Sequence, residues 1–125
     1  MQIKEHISLR SYNTFGINAS AKYFANFSSI AELEELIASY KPPTTNHKLL
    51  VLGGGSNMLF TKDFDGLVLK NDLKGIALVK EDDTFYYVKA SAGEHWHGFV
   101  QHCISNNYAG VENLSLIPGN VGASP

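Results

Sequence analysis

Three consecutive glycines, Gly53, Gly54 and Gly55, are the residues of this sequence best suited to holding an anion. They directly follow the apolar run at 49–52. Glycine has no Cβ, so the backbone can adopt a positive φ and several amide N–H groups can point at one anion. Ser56 and Asn57 add side-chain hydrogen bonds of the kind that phosphate oxygens accept. A tight turn without a ligand needs the same residue types, and the glycine run alone leaves both interpretations open.

Two common phosphate-binding motifs are excluded by the residues that follow Gly55. A P-loop requires Gly-Lys followed by Ser or Thr, whereas this chain continues with Ser-Asn-Met at 56–58. A dinucleotide-binding fingerprint requires a third glycine at Met58 and a helix after it, but the segment KDFDG at 62–66 is typical of a turn. Asp72, which lies near the spacing of a ribose-binding acid, is therefore predicted to be a loop residue.

The histidines and the single cysteine are weak candidates for metal binding or catalysis. His95, His97 and His102 lie near Glu94. On a helix with about 100° per residue, His97 points far around from His95, and His102 lies about 10 Å further along the axis, so one zinc ion cannot bind all three. Cys103 falls on an apolar stripe and is predicted to be a core residue rather than a nucleophile. No catalytic residue and no metal site is predicted.

A strand–helix–strand unit positions the glycines. The aromatic-rich segment 22–27 is predicted to be a strand, and a helix over 29–40 follows, with Ser29 and Glu32 spaced as a capping box. Pro42 and Pro43 end it. The run 49–52 is predicted to be a buried strand, parallel to the first, which places the glycines at the carboxyl end of a central strand, where open α/β sheets bind ligands. The helical face consists of Ile30, Leu33, Leu36, Ile37 and Tyr40.

The rest of the chain adds antiparallel structure and a second helix. Strands are predicted at 67–70, 76–79 and 85–90, the last two as a hairpin around the polar turn 81–84. The spacing of Trp96, Phe99, Val100, Cys103 and Ile104 predicts an amphipathic helix. We therefore predict an α+β fold with a βαβ part at about 20–72 and a second part that begins at about 75.

Composition and charge exclude several classes of protein. With 125 residues, 44% hydrophobic content and a net charge of −2, the chain fits one modest domain or a piece of a larger one and predicts no nucleic-acid or anionic-membrane partner. The first residues are too polar for a signal peptide, no apolar run approaches the roughly 18 residues of a membrane span, and a cytoplasmic location is expected. Because the sequence stops inside the glycine-rich stretch NLSLIPGNVGASP, we expect an N-terminal fragment.

Five segments, in this order, resemble UDP-N-acetylenolpyruvoylglucosamine reductases. They are SYNTFGI at 11–17, VLGGGSNMLF at 51–60, GLVLKN at 66–71, SAGEHWH at 91–97 and GVENLSLIPGNVGASP at 110–125. The resemblance covers almost the whole chain and is most specific in the last segment. It implies that residues 1–125 are the incomplete N-terminal portion of an FAD-binding domain of the vanillyl-alcohol oxidase type.

The resemblance also implies an activity for the complete protein. Such enzymes are oxidoreductases of peptidoglycan synthesis: a hydride passes from NADPH to FAD and then to the enolpyruvyl ether of UDP-N-acetylglucosamine, a serine supplies the proton, and UDP-N-acetylmuramate is formed. In the family, an N-x-G-A-Y-G stretch follows the position of Pro125, and the catalytic serine, an arginine and a glutamate lie further downstream. We therefore assign no catalytic residue to this chain and expect the fragment alone to be inactive.

Motif matching within this resemblance implies a set of cofactor-binding residues. The FAD pyrophosphate would be held by Gly53, Gly54, Gly55, Ser56 and Asn57. The same cofactor would be enclosed from the other side by Ile117, Pro118, Gly119, Gly122, Ala123 and Ser124. A family motif also covers residues 13–16, for which a cofactor role and a purely structural role in an N-terminal strand and loop both remain open.

Two alternative functions remain at this point. One is another FAD oxidoreductase of the vanillyl-alcohol oxidase type, such as a lactone or sugar oxidase. Several of these attach flavin covalently through a histidine or cysteine near the first glycine loop, and residues 53–60 contain neither, which disfavours such a bond here. The other is a non-catalytic binding fragment, which would fold cooperatively without flavin.

Overall fold

The computed structural model of the chain describes residues 2–41 and 48–124. Six strands and two α-helices are found within these ranges. In chain order they are β1 (Lys4–Ser8), β2 (Ser20–Phe27), α1 (Ile30–Ser39), β3 (Leu49–Leu52), β4 (Phe64–Asn71), β5 (Ile76–Glu81), β6 (Tyr86–Ala90) and α2 (Trp96–Ser105). Single 3-10 turns occur at Arg10–Tyr12, Glu112–Leu114 and Val121–Ala123. No helix among the described residues is long and apolar enough to cross a bilayer.

The predicted α+β fold is confirmed, but the position of the glycine-bearing strand is corrected. The four-stranded sheet has the order β1-β2-β4-β3, in which β1 is antiparallel to β2 while β2 and β3 both run parallel to β4. Strand β3 is thus an edge strand among the described residues, not a central one. Its Val51 is 54% exposed, whereas Leu67, Val68 and Leu69 of β4 are fully buried. The more continuously buried apolar run belongs to β4, which is therefore central.

Each face of this sheet carries its own apolar cluster. On one face, Leu36 of α1 packs with Phe27 and with Leu67 and Leu69 of β4. On the other face, Val68 packs with a cluster drawn from strands and loops that also contains Leu9, Phe24, Leu52 and Phe60. Alternate residues of β4 therefore serve opposite clusters, as the two-residue period of a strand requires.

Helix α1 begins with the predicted Ser29 cap, but the Glu32 carboxylate contacts Ser28 and not the N–H of Ser29 that a capping box would use. The Ser29 side chain accepts a hydrogen bond from the backbone N–H of Glu32 at 3.2 Å. The Glu32 carboxylate in turn accepts bonds from the backbone N–H and the hydroxyl of Ser28, at 2.6 and 2.8 Å. The bond to Ser29 satisfies one of the amide donors that the first helical turn leaves without an intrahelical partner, and the bonds to Ser28 fix the chain just before the helix. Pro42 and Pro43, the predicted end of the helix, lie outside the described residues, and α1 ends at Ser39.

The predicted hairpin and second helix are also confirmed. Strands β5 and β6 pair antiparallel, and Asp82 closes their turn by accepting bonds from the N–H groups of Thr84 and Phe85 at 3.0 and 2.8 Å. In α2, Trp96, Val100 and Cys103 are buried, as the amphipathic pattern indicates. Ile104, the fifth residue of that pattern, is half exposed.

Candidate functional site

The first glycine loop (residues 53–57) packs against the N-terminal loop (residues 9–17), which fixes its position. Gly55 has a φ of +67°, and a Cβ at this position would overlap the carbonyl oxygen of Tyr12. The backbone N–H of Thr14 donates to the Gly55 carbonyl oxygen at 3.1 Å. Only glycine fits here, because both the left-handed backbone and the absence of a side chain are required.

The N-terminal loop is held by one buried side chain. The Asn13 amide donates to the carbonyl oxygens of Leu9 at 2.7 Å and Ile17 at 3.0 Å, and its oxygen accepts from the Ile17 N–H at 2.9 Å. These bonds use the polar atoms of Asn13 within its own loop. They support the structural role for residues 13–16 that the sequence left open, because the loop contacts the back of Gly55 and does not line the cleft described below.

Both ends of the first glycine loop are anchored in the core. Leu52 enters it fully buried, and Phe60, with an exposed fraction of 8%, leaves it into the same apolar cluster, against which Met58 also packs. Within the described part of the chain, none of the amide N–H groups of residues 53–57 donates a hydrogen bond. The loop is therefore held rigidly at its ends while its backbone donors remain available.

The second glycine loop (residues 117–124) is held by the segment that leads into α2. The Trp96 N–H donates to the Gly119 carbonyl oxygen at 3.0 Å, and the N–H groups of Val121 and Gly122 donate to the carbonyl oxygens of Glu94 and Ala92 at 2.8 and 3.0 Å. The chain just before this loop is fixed as well: the indole N–H of Trp96 donates to the carbonyl oxygen of Leu114 at 2.7 Å, and the N–H of Leu116 donates to Nδ1 of His97 at 3.2 Å.

The two glycine loops meet at their backbones, although 65 positions separate Gly54 from Gly119 in the chain. A Cβ on Gly54 would lie 3.3 Å from Cα of Gly119 and 3.1 Å from the side-chain oxygen of Asn120. Gly119 has a φ of +112°, and a Cβ there would lie 3.0 Å from Oγ of Ser56. The small size of these glycines thus permits the approach of the two loops.

An open cleft of about 540 Å³ lies between the two loops. It is in the size range typical of small-molecule sites. It is lined by Val51, Leu52, Gly53, Gly54, Gly55, Ser56, Asn57, Met58, Pro118, Gly119, Asn120 and Ala123. All of these residues are uncharged, so any anion bound here would be held by dipoles and hydrogen bonds.

The structure brings most of the predicted site residues to this cleft. All five residues of the first loop line it, as do Pro118, Gly119 and Ala123. The predicted residues Ile117, Gly122 and Ser124 do not: a Cβ on Gly122 would lie 2.6 Å from Cβ of Ala92, and the Ser124 hydroxyl donates to the Val121 carbonyl oxygen at 2.7 Å. Asn120 lines the cleft but was not predicted, although it lies inside the second motif between two residues that were.

The remaining titratable candidates do not line this cleft. Cys103 is 3% exposed in the core, and burial raises the pKa of its thiol, so its predicted core role is confirmed. His97 accepts the hydrogen bond from Leu116 described above. Among residues 2–41 and 48–124, no group of three or more His, Cys, Asp or Glu side chains is arranged to bind a metal ion.

Comparison with known proteins identifies the family. Residues 21–125 match the family described as "FAD binding domain". The chain belongs to this family. FAD, the cofactor predicted from the sequence, is therefore the ligand against which the cleft has to be tested.

Individual relatives and a solved structure agree with this FAD binding domain assignment. The chain is 53% identical to the UDP-N-acetylenolpyruvoylglucosamine reductase of Flavobacterium johnsoniae and 49% identical to that of Chromobacterium violaceum; each match covers the whole chain and 36% of the relative. The chain thus spans about a third of the length of these curated relatives. These matches confirm the predicted resemblance. The crystal structure of UDP-N-acetylenolpyruvylglucosamine reductase (MurB) from Thermus caldophilus superposes with a TM-score of 0.68 at 23% identity, covering 98% of this chain and 40% of that one, and shows the same fold.

The cleft of this FAD binding domain has properties that suit a dinucleotide diphosphate. Two glycines, Gly54 and Gly119, leave the space that side chains would fill. The uncommitted N–H groups of the first loop supply donors of the kind that phosphate oxygens accept, and the hydroxyl of Ser56 stands at the closest approach of the two loops. The residues present therefore fit the cofactor of the family.

Proposed function

We propose that this chain is the FAD-binding part of a UDP-N-acetylenolpyruvoylglucosamine reductase and that the two glycine loops hold the diphosphate of FAD. The observation that carries the proposal is the close approach of Gly54 and Gly119 across a neutral cleft whose first loop has uncommitted amide donors. The high identity to reductases of that name supports the choice of enzyme.

The proposed binding mode relies on backbone dipoles. A diphosphate bridge carries about two negative charges, and several N–H groups converging on it can replace its hydration shell. Because the loop ends are anchored in the core, the donors are positioned before the ligand arrives, and little conformational entropy is lost on binding. Uncharged donors also leave the flavin without an adjacent cationic side chain that would alter its electronic properties.

Not every predicted residue is proposed to touch the cofactor. Gly53, Gly54, Gly55, Ser56, Asn57, Pro118, Gly119 and Ala123 are proposed contacts because they line the cleft. Ile117, Gly122 and Ser124 are proposed to support the second loop. Gly122 does so by letting the backbone pack on Ala92, and Ser124 by its bond to the Val121 carbonyl oxygen.

The bound cofactor supplies hydride transfer, from NADPH to the enolpyruvyl double bond of the UDP-sugar, so that UDP-N-acetylmuramate is formed for peptidoglycan. The residues of this chain bind and orient it, and none is proposed to take part in proton transfer. The catalytic groups are proposed to lie in the part of the longer protein that this chain does not cover, and the chain alone is proposed to be inactive. We also propose a cytoplasmic location for the protein. The βαβ part of the domain is proposed to end near residue 72, and the second part to begin near residue 75.

Replacing Gly54 tests the binding site. In the intact protein, Gly54→Trp should weaken FAD binding at least tenfold, about 1.4 kcal/mol, because its side chain would occupy the space between the loops. Gly98→Trp is the matched control, since Gly98 lies on the exposed side of α2 and a Cβ there meets only ordinary van der Waals contact with His95. Fluorescence titration with FAD measures the affinity and thermal unfolding of the apoprotein measures stability. Equal losses of stability and affinity in Gly54→Trp would indicate a turn without a ligand.

Activity of the intact protein tests the choice of enzyme. NADPH oxidation that depends on UDP-N-acetylglucosamine enolpyruvate and yields UDP-N-acetylmuramate is expected. A flavin-loaded protein that oxidises lactones or sugars instead would assign the chain to another oxidoreductase with the same fold. Mass spectrometry of the denatured protein should show the mass of the unmodified chain. A mass increased by covalently attached flavin would support that second assignment.

A further inference from the structure

Two polar side chains are buried among the described residues, and they differ in how their hydrogen bonds are satisfied. Asn13 and Asn120 have exposed fractions of 7% and 8%. Asn13 makes three hydrogen bonds within its own loop. Asn120 makes none with its side chain to any described residue, so its amide keeps its hydrogen-bonding capacity for solvent or a ligand. The amide of Asn13 is therefore used by the fold, whereas that of Asn120 is free to contact a ligand.

The side chain of Asn120 is directed into the cleft between the two glycine loops. It lines the cleft, and its oxygen and nitrogen are the atoms that Cβ groups on Gly54 and Gly53 would meet, at 3.1 and 3.9 Å. In the described part of the chain, no side-chain nitrogen or oxygen is both fully enclosed and without a partner. The amide of Asn120 thus keeps its remaining access through the cleft.

The backbone around Asn120 is fixed on both sides. The preceding residue, Gly119, accepts a hydrogen bond from the Trp96 N–H, and the following residue, Val121, donates to Glu94. Asn120 itself forms a bridge with His95 and accepts the N–H of Ala123 on its carbonyl oxygen. A side chain carried by such a backbone is positioned for a ligand before the ligand binds.

From these observations we infer that the Asn120 side-chain amide is a ligand-contacting group, which donates a hydrogen bond to a phosphate oxygen of the bound dinucleotide. This inference rests on the proposed function. The phosphate is the preferred partner because Asn120 stands at the closest approach of the two loops, beside Gly53 and Gly54, where the uncommitted backbone donors also lie. A neutral amide can act there as one more donor in a site without cations.

Replacing the Asn120 amide with a carboxylate tests this contact. In the intact protein, Asn120→Asp keeps the shape of the side chain but replaces the donor with a carboxylate, so FAD affinity should fall at least about tenfold at neutral pH. Gln101→Glu is the matched control: it makes the same amide-to-carboxylate change on an exposed residue of α2 and should leave the affinity unchanged. Fluorescence titration with FAD measures both variants beside the unchanged protein.

Two further measurements separate a ligand contact from a structural role. The deficit of Asn120→Asp should shrink at high salt and at a pH low enough to protonate the carboxyl group, which restores a donor. The phosphorus NMR signals of bound FAD should shift in Asn120→Ala, in which the contact is lost. Binding of FAD to Asn120→Asp within twofold of the unchanged protein would overturn the inference, as would a deficit that salt and pH do not alter. Failure of the unchanged protein to bind FAD would overturn the proposed function itself.

Discussion

At the scale of single residues, the glycines of this chain serve different physical purposes. Gly54 and Gly119 leave room between two loops, so a side chain at either position would act on the cleft. The backbone of Gly55 also lines the cleft, but a side chain there would point toward Tyr12 and would act on the packing of the N-terminal loop. Substitutions at neighbouring positions of one motif should therefore separate loss of binding from loss of stability.

Gly55→Ala is expected to destabilise the protein by about 3 kcal/mol or more, because a left-handed backbone conformation and a clash with Tyr12 combine. Gly16→Ala is the control, since Gly16 has nearly the same φ, +64°, and no atom lies within 4 Å of the position that an added methyl group would take. It should cost only about 1–2 kcal/mol. Urea unfolding measures both, and equal costs would show that Tyr12 moves aside.

Cys103 offers a second prediction at this scale. Its thiol is 3% exposed and burial raises its pKa, so both access and thiolate formation are restricted. We expect a thiol reagent at neutral pH to react at least about 100-fold more slowly with the native protein than with the urea-unfolded one. Absorbance of the released thiol product follows the reaction, and comparable rates in the two states would contradict the burial of Cys103.

At the scale of elements, the start of α1 shows how local sequence fixes a boundary. Ser29→Ala removes the bond to the Glu32 N–H and should cost about 1 kcal/mol. Ser105→Ala, at the exposed end of α2, removes a hydroxyl that caps no helix start and should change stability by less than about 0.5 kcal/mol. Chemical unfolding compares the two, and a neutral Ser29→Ala would indicate that Ser28 and Glu32 hold the helix start without it.

Elements with local signals were predictable, and those defined by distant partners were not. Periodicity located both helices, and polar turn residues located the β5–β6 hairpin. Strand β1 carries a single apolar residue, Ile7, in KEHIS, because it pairs at the sheet edge and its side chains are mostly exposed. The prediction that 49–52 is a buried, central strand was wrong on both counts, because only Leu52 of this strand is buried and the strand lies at the sheet edge. Which strands pair with β4 decides both properties, and that information lies in long-range contacts.

The same limit applies to the candidate site. The first glycine loop could be identified from composition and position after a strand. Its support by Tyr12 and Asn13, and the entry of Asn120 into the cleft, depend on contacts between segments roughly 40 to 65 residues apart, which no local pattern encodes. Motif matching identified Gly119 and Gly122, between which Asn120 lies, without indicating which side chains face the ligand.

At the scale of the whole molecule, the carboxylates that stabilise turns and helix ends predict how stability depends on pH. The pKa of Glu32 is lowered by the hydrogen bonds from Ser28, that of Asp82 by the N–H of Thr84, and that of Glu112 by the N–H of Gly110. The Lys22 side chain lowers the pKa of Asp65, with which it forms an ion pair at 2.9 Å. These groups are distributed over both halves of the described chain and all respond to acid in the same direction.

Stability should therefore fall in acid. Because each of these pKa values is lower in the folded than in the unfolded protein, the unfolded state takes up protons first as pH decreases. The stabilisation that these carboxylates provide is complete above their pKa values in the unfolded protein, which are about 4. It is lost as the pH falls through their lower pKa values in the folded protein. The melting temperature should be nearly constant from about pH 7 to 5 and decrease below about 4, and the decrease should be shallower in Glu32→Gln, which has no carboxylate to protonate there. Calorimetry over this range measures how steeply the melting temperature falls with pH in the unchanged protein and in Glu32→Gln. A melting temperature that rises in acid, or an equally steep fall in the two proteins, would contradict the role assigned to these hydrogen bonds.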